Sequence, residues 1–149
     1  MISYDAYWGP AIARKAGTYF NPECDMVVCR TELLDGEEQL LGGTIFQNYV
    51  VESIGCHVAG FGYPRWITRE LLHHTFAYPF LQLGVQRIFG QVPADNAEAL
   101  AFDLHLGFRQ IARIPKVFEG GVDDIVVCME RDECRYLRRP RSMQKKLAA

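Results

Sequence analysis

QRIFGQVPADNAEALAFDLHLGF, residues 86–108, is the stretch that decides the fold of this 149-residue chain. Gln86 to Val92 carries Ile88, Phe89 and Val92 in a short apolar run and reads as a strand. Asp95-Asn96-Ala97-Glu98 follows as a capping-box-like start, with the Asp95 oxygen available to a helix amide and Glu98 able to reach back. That helix runs to Leu106, stops at Gly107, and gives way to a strand at Phe108.

Upstream, Ile67, Leu71, Leu72, Phe76 and Phe80 recur at helical spacing and predict a helix over Arg65–Leu83, closed by Gly84. Pro79 has no N–H for the Thr75 carbonyl, so the last turn should kink. Before it, Asp25–Leu33, Gln39–Phe46 and Asn48–Val58 read as an antiparallel meander, with a hairpin turn at Asp35-Gly36. A short helix over Asp5–Ala16 opens the chain, and strands over Phe108–Lys116 and Asp123–Arg131 close it. The strand–helix–strand unit around Arg65–Leu83 needs a crossover, which makes its two strands parallel. The expectation is an α/β fold: one twisted, mostly antiparallel mixed sheet with a central parallel pair and helices on both faces.

Composition excludes several classes. Hydrophobic residues make up 49% and charged residues 23%, the values of a globular domain. No apolar run approaches the roughly 20 residues of a membrane span, and Met1–Asp5 has no basic start or apolar block of an export signal. A cytoplasmic protein with no membrane partner is expected. The five cysteines are odd in number and form no CxxC pair, so reduced thiols and no metal site are expected, with Cys29 and Cys128 buried and inert. The net charge of −2 hides a division. Residues 1–133 carry 10 Lys+Arg against 18 Asp+Glu, whereas residues 134–149 carry six cations and no acid. This suggests one domain over 1–133 and a basic tail over 134–149, able to contact phosphate backbones or acidic proteins.

Two features point to chemistry. His57-Val58-Ala59-Gly60-Phe61-Gly62 ends a strand before the long helix, where glycines and a helix N-terminus suit a pyrophosphate. Asn96, Ala99, Leu106, Gly107 and Phe108 mark a helix at the C-terminal end of the next strand, where ligands gather in open α/β sheets. In this order the two resemble the GNAT superfamily of acyl-CoA-dependent N-acyltransferases. His57-x-x-Gly60-x-Gly62 is similar to the family's pyrophosphate loop, and Asn96-x-x-Ala99…Leu106-Gly107-Phe108 to its later stretch. Residues 65–69 and 78–80 resemble small stand-alone acetyltransferases encoded by bacteriophages.

The resemblance implies transfer of an acetyl group from acetyl-CoA to an amine, a small molecule or protein, by direct attack in a ternary complex. It implies a V-shaped gap between the strand ending near His57 and the strand Gln86–Val92. Val58, Gly60, Gly62, Arg65 and Trp66 would surround the diphosphate, and Asn96 and Ala99 the CoA arm. Glu52, taken as lying on the strand before the loop, or His57 would handle the amine proton. Family members often carry a tyrosine general acid seven residues after the Asn; here that position is Asp103, which implies a transferase without that acid. Tyr63-Pro64 also separates the glycines from the helix. The alternative is a catalytically degenerate binding module of the same shape that contacts nucleic acid or protein through its tail. Glu119, Asp123, Asp124 and Glu130 would favour a cationic acceptor, and Trp66, Phe76, Tyr78 and Phe80 are core or homodimer contacts.

Overall fold

The computed structural model describes residues 1–148. The chain runs β1 (Ile2–Ser3), α1 (Gly9–Ala16), β2 (Met26–Leu34), β3 (Glu37–Val50), β4 (Ser53–Gly60), α2 (Arg69–Ala77), β5 (Arg87–Pro93), α3 (Ala97–Leu106), β6 (Arg109–Phe118), β7 (Val122–Glu130) and α4 (Arg141–Ala148). The strands form a seven-stranded sheet in the order β1-β2-β3-β4-β5-β7-β6. Every neighbouring pair is antiparallel except β4 and β5, which α2 connects by a crossover. This is the mixed sheet expected from the sequence.

Local chemistry explains most element ends. Asp35 (φ 52°) and Gly36 (φ 82°) make the two-residue turn between β2 and β3. Gly17, at φ 74°, ends α1 with its N–H on the Ala13 and Arg14 carbonyls. Two boundaries differ from the sequence reading. The middle helix starts at Arg69 rather than Arg65, because Thr68 is the residue with an oxygen to cap it and accepts the Leu71 N–H at 3.1 Å. Residues 61–68 are a loop. The α3 cap is Asn96 rather than Asp95: its Oδ1 accepts the Ala99 N–H at 3.1 Å. At Pro79 the missing N–H is absorbed by a wider π-helical turn over Tyr78–Leu83, which Gly84 (φ 76°) closes.

The period-two alternation of the strands divides the core between the two faces. Val28, Phe46, Ile54, Ile88, Val127 and Met129 pack with Leu71, Phe76 and Phe80 of the middle helical segment and Leu106 of α3. On the other face Ile12 and Ala13 of α1 cover Val27, Cys29, Ile45 and Ala59. Cys29 and Cys128 are buried.

The boundary expected after residue 133 falls inside packed structure. The Tyr136 ring stacks on Phe76 with centroids 5.0 Å apart, and its hydroxyl donates to the Leu106 carbonyl at 2.9 Å. His73 Nδ1 meets the Tyr136 carbonyl at 2.9 Å, which puts the proton on that nitrogen. Arg135 donates to the carbonyl of His105. Residues 134–137 thus strap the C-terminal end of α3 to α2. No helix among the described residues is long and apolar enough to cross a membrane.

Candidate active site

The parallel ladder between β4 and β5 is short. It pairs Ser53 with Arg87 and ends at Cys56 with Gly90. Beyond that point β4 follows β3 as far as the Gly42–Gly60 pair, and β5 follows β7 as far as Pro93 with Asp124. Two continuing antiparallel ladders therefore pull the strands apart, and a cleft of about 740 Å³ opens between them. Its inner walls are strand edges with no strand partner, so alternate N–H and C=O groups face the gap. Helix α3 begins at the mouth of this V, beside Pro93, and runs back toward the vertex at Cys56 and Gly90.

The cleft passes through the sheet, and side-chain parity decides what each opening sees. Cys56, Val58 and Gly60 point with Ile54 toward α2 and α3, and His57 points with Ala59 toward α1. Val58, Gly60, Trp66, Asn96, Ala99 and His57 all line the cleft. Lys15 and Ala16, at the end of α1, close the His57 side, and Phe102 and Asp103 close the α3 side.

Three other candidates lie elsewhere. Glu52 is in the β3–β4 turn, ahead of the strand, and its carbonyl accepts the N–H groups of Gln86 and Arg87. It stands at the closed end of the parallel pair, four residues or about 13 Å of strand before Cys56. Gly62 (φ 81°) and Arg65 (φ 57°) are in the loop beyond β4 and do not line the cleft.

The loop itself is built by contacts invisible in its own sequence. Trp66 lies flat on the paired glycines of β3 and β4. A Cβ on Gly60 would come within 2.7 Å of the indole Nε1, and one on Gly42 would clash with the ring atoms Cε3, Cζ3 and Cδ2. Gly60 is thus required by Trp66 as well as bordering the cleft. Arg30, on β2, donates through Nη1 to the Arg65 carbonyl at 2.8 Å and the Trp66 carbonyl at 3.0 Å, holding Arg65 in the left-handed region that a side chain disfavours. The glycine pair Gly42-Gly43 inside a strand run was the available signal, since glycine there marks close approach of another group.

Burial sets the charges. His57 is held below the ordinary imidazole range by burial, with the Asp25 carboxylate opposing, so the ring is neutral at pH 7. Burial raises the Asp103 carboxyl to about 6. The Cys56 thiol is pushed up strongly by burial and then by Asp103, which makes it a poor nucleophile. Of the acids expected to attract a cation, Asp123 pairs with Arg113 at 2.7 Å and Glu130 with Arg87 and Arg109 at 3.3 and 3.2 Å. Asp124 is 0% exposed and accepts from Gln91 at 2.9 Å. No cluster of three His, Cys, Asp or Glu residues that could hold a metal occurs among the described residues.

Comparison with solved structures matches this architecture. An acetyltransferase of the GNAT family from Bacillus anthracis superimposes with a TM-score of 0.58 at 18% identity, over 73% of this chain and 67% of that one. The fold is that of the GNAT acetyltransferases. A chimera of the spermidine N-acetyltransferase from Vibrio cholerae with hSSAT gives a TM-score of 0.62 at 18% identity, covering 78% and 72% of the two chains. A dodecameric form of the Vibrio cholerae enzyme gives 0.60 at 17% identity, over 74% and 67%. No protein-family model matches the chain, and no curated protein matches its sequence. In this fold the β4–β5 pair is the parallel one, and its ladder ends at Cys56 and Gly90 while both strands continue.

Proposed function

We propose that this chain is an acetyl-CoA-dependent N-acetyltransferase acting by direct attack of an amine on the bound thioester. The observation that carries the reading is the open slot past Cys56 and Gly90, with unpaired strand edges on both sides. An extended chain bearing amides can satisfy those edges as an added strand would. The residues present fit such a group: the cleft has the volume of a cofactor site, its mouth is bordered by Gly60, and Asn96 spends its Oδ1 on the α3 cap while its amide N–H groups remain for a ligand. Acetyl-CoA supplies an acyl group on a thiol leaving group of ordinary pKa near 8.5.

The protein's contribution is alignment and proton handling. Val58, Ala99 and Trp66 wall the arm, and the loop through Gly62 and Arg65, outside the cleft lining, follows directly after Gly60, so its N–H groups and the Arg65 guanidinium would have to reach in to the diphosphate. Alignment of two reactants supplies about 7–11 kcal/mol of the barrier. The neutral His57 imidazole, on the α1 side of the slot, takes the amine proton. Glu52 is left out of this role by its place in the β3–β4 turn. The acceptor enters from the α1 side, past Lys15 and His57. Of the tail's six cations, Arg135 is engaged with the His105 carbonyl and Lys146 lies 3.5 Å from Glu70, while Arg138, Arg139, Arg141 and Lys145 are exposed, and their exposure alone favours no second reading.

Titration calorimetry and thermal shift with acetyl-CoA test the reading. Saturation at 100 times the dissociation constant adds about 2.7 kcal/mol of stability. Absence of binding at millimolar acetyl-CoA refutes it.

A further inference from the structure

A second space lies behind the cleft, on the face of the sheet that α2 and α3 cover. It is a cavity of about 30 Å³. Phe46 of β3 and Ile88 of β5 form its floor, and Leu71 and Phe76 of α2 with Leu106 of α3 form its roof. Side-chain alternation along β4 turns Cys56 and Val58 toward it and His57 away from it. Cys56, Val58, Trp66, Phe102 and Phe108 border both this cavity and the cleft. One layer of side chains therefore divides the two spaces, and it stands at the vertex, where Cys56 ends the parallel ladder. Apart from Thr44, Thr75, the Cys56 thiol and the Trp66 N–H the lining is apolar, and it holds no charged side chain among the described residues.

A buried water needs roughly 10–15 Å³ of such space and two or more polar partners. This cavity instead offers room for about two groups of methylene size against apolar walls. A void of this kind forfeits contacts along its lining, and an apolar group that enters restores them. The transferase reading puts such a group within reach. A thioester whose arm lies between β4 and β5 would have its acyl carbon at the vertex, with sulfur leading back toward the mouth and the amine arriving from the His57 side. The direction left for the chain on that carbon is the α2/α3 side, past Cys56 and Phe102. Acetyl places only a methyl there. Each further methylene buried is worth about fourfold in affinity.

Resting on the transferase reading, we propose that this cavity is a subsite for the acyl chain, so that the cleft takes propionyl- and butyryl-CoA as well as acetyl-CoA. Chain length leaves the chemistry unchanged. The amine nitrogen bonds to the acyl carbon, the C–S bond breaks with its electron pair leaving on sulfur, and the amine proton passes to His57. Floor and roof set the limit. Ile88, Phe76 and Leu106 are 0%, 3% and 7% exposed, so packed core stands behind the space. Two methylenes fill it, and a longer chain meets the core.

Titration calorimetry on the full chain with acetyl-, propionyl-, butyryl- and hexanoyl-CoA tests the subsite. Affinity should rise about two- to fourfold with each methylene as far as butyryl and no further at hexanoyl. Thr75 of α2 is buried and lines the cavity but not the cleft, and leucine suits a helix, so Thr75→Leu fills the space without touching the slot. That variant should bind acetyl-CoA within about twofold of the wild type and lose the gain for longer chains. Leu72→Ala enlarges the same cavity and should carry the gain on to hexanoyl-CoA, which decides the matter where Thr75→Leu does not fold. A flat or falling series in the wild type, the same rise in Thr75→Leu, or no gain at hexanoyl in Leu72→Ala overturns the subsite and leaves the transferase reading standing. A wild type that binds none of the four thioesters overturns both.

Discussion

Trp66 and the two glycines beneath it form a lock whose strength can be measured by a double-mutant cycle. In β3, Gly42 has ordinary extended backbone and is buried, so alanine suits its conformation; the obstacle is the indole above it. Alanine in place of a strand glycine gains about 0.5–1 kcal/mol through the unfolded chain where there is room. Overpacking against a ring costs about 1–3 kcal/mol. Gly42→Ala should therefore destabilise the protein by about 1–2 kcal/mol, because the indole must leave its seat. Trp66 is half-buried, and Trp66→Ala should cost somewhat less than the roughly 3–5 kcal/mol of a fully buried tryptophan. In the Trp66→Ala background the clash is gone, and Gly42→Ala should turn neutral or stabilising by about 0.5–1 kcal/mol. The coupling energy is then about 1–3 kcal/mol. Urea unfolding of the four proteins at 25 °C measures it, and calorimetry should show Gly42→Ala weakening acetyl-CoA binding, since the displaced indole carries Arg65 with it. Additivity within about 0.5 kcal/mol would refute the reasoning.

Other outcomes follow from the same geometry. Tyr136→Ala removes the stacking on Phe76 and the bond to the Leu106 carbonyl and should cost about 2–4 kcal/mol. Truncation after residue 140 loses α4 and the exposed Lys146–Glu70 pair and should cost less than about 1 kcal/mol by the same urea assay. The Asp103 carboxyl lies at about 6 in the folded chain, against 3.8 for a freely hydrated aspartate side chain. A raised acid stabilises the fold below its unfolded pKa, and that stability is lost as pH rises from about 4 to about 6. Asp103→Asn should thus be more stable than the wild type at pH 7.5, by at most about 3 kcal/mol, and the advantage should vanish at about pH 4 in thermal melts. Glu52→Gln should leave acetyl-CoA turnover within about twofold of wild type, whereas His57→Gln should lower it at least about tenfold; equal losses would move the base away from the cleft.

Most of the sheet was legible because the signals are local. Asp35-Gly36 selects a turn, and Gly17, Gly84 and Gly107 each adopt the left-handed backbone that ends a helix. The element order alone forced one parallel pair. What could not be read are contacts between residues distant along the chain. The helical spacing of Ile67, Leu71 and Phe76 extends naturally back to Arg65, but a helix begins where an oxygen caps it, and that oxygen belongs to Thr68. The function of Gly60 depends on Gly42 and Trp66, and the posture of Arg65 depends on Arg30, 35 residues away. Glu52 suited the role of base by its residue type and its distance from the glycines, yet the β3–β4 turn falls at residues 51–52 and leaves it at the wrong end of the strand. The tail looked like a solvated run of cations because charge dominates its composition. Its packing is decided by three residues that carry no net charge, Cys134, Tyr136 and Leu137.

The same long-range contacts hold the slot open. Closing it would require β4 past Cys56 to swing toward β5, and β4 is held there by its ladder to β3 as far as Gly60, by α1 over Ala59, and by Trp66 over Gly60. β5 is held by β7 through Pro93. Each ladder bond is worth about 1 kcal/mol net, so closure would exchange satisfied antiparallel bonds for parallel ones of no greater strength while unseating an indole. The unpaired edges stay exposed to water at little cost, since water satisfies them until a ligand does. The cleft is thus a property of two antiparallel halves of one sheet joined by a short parallel seam. At the seam's end His57 borders the cleft on one face and Asp103 on the other.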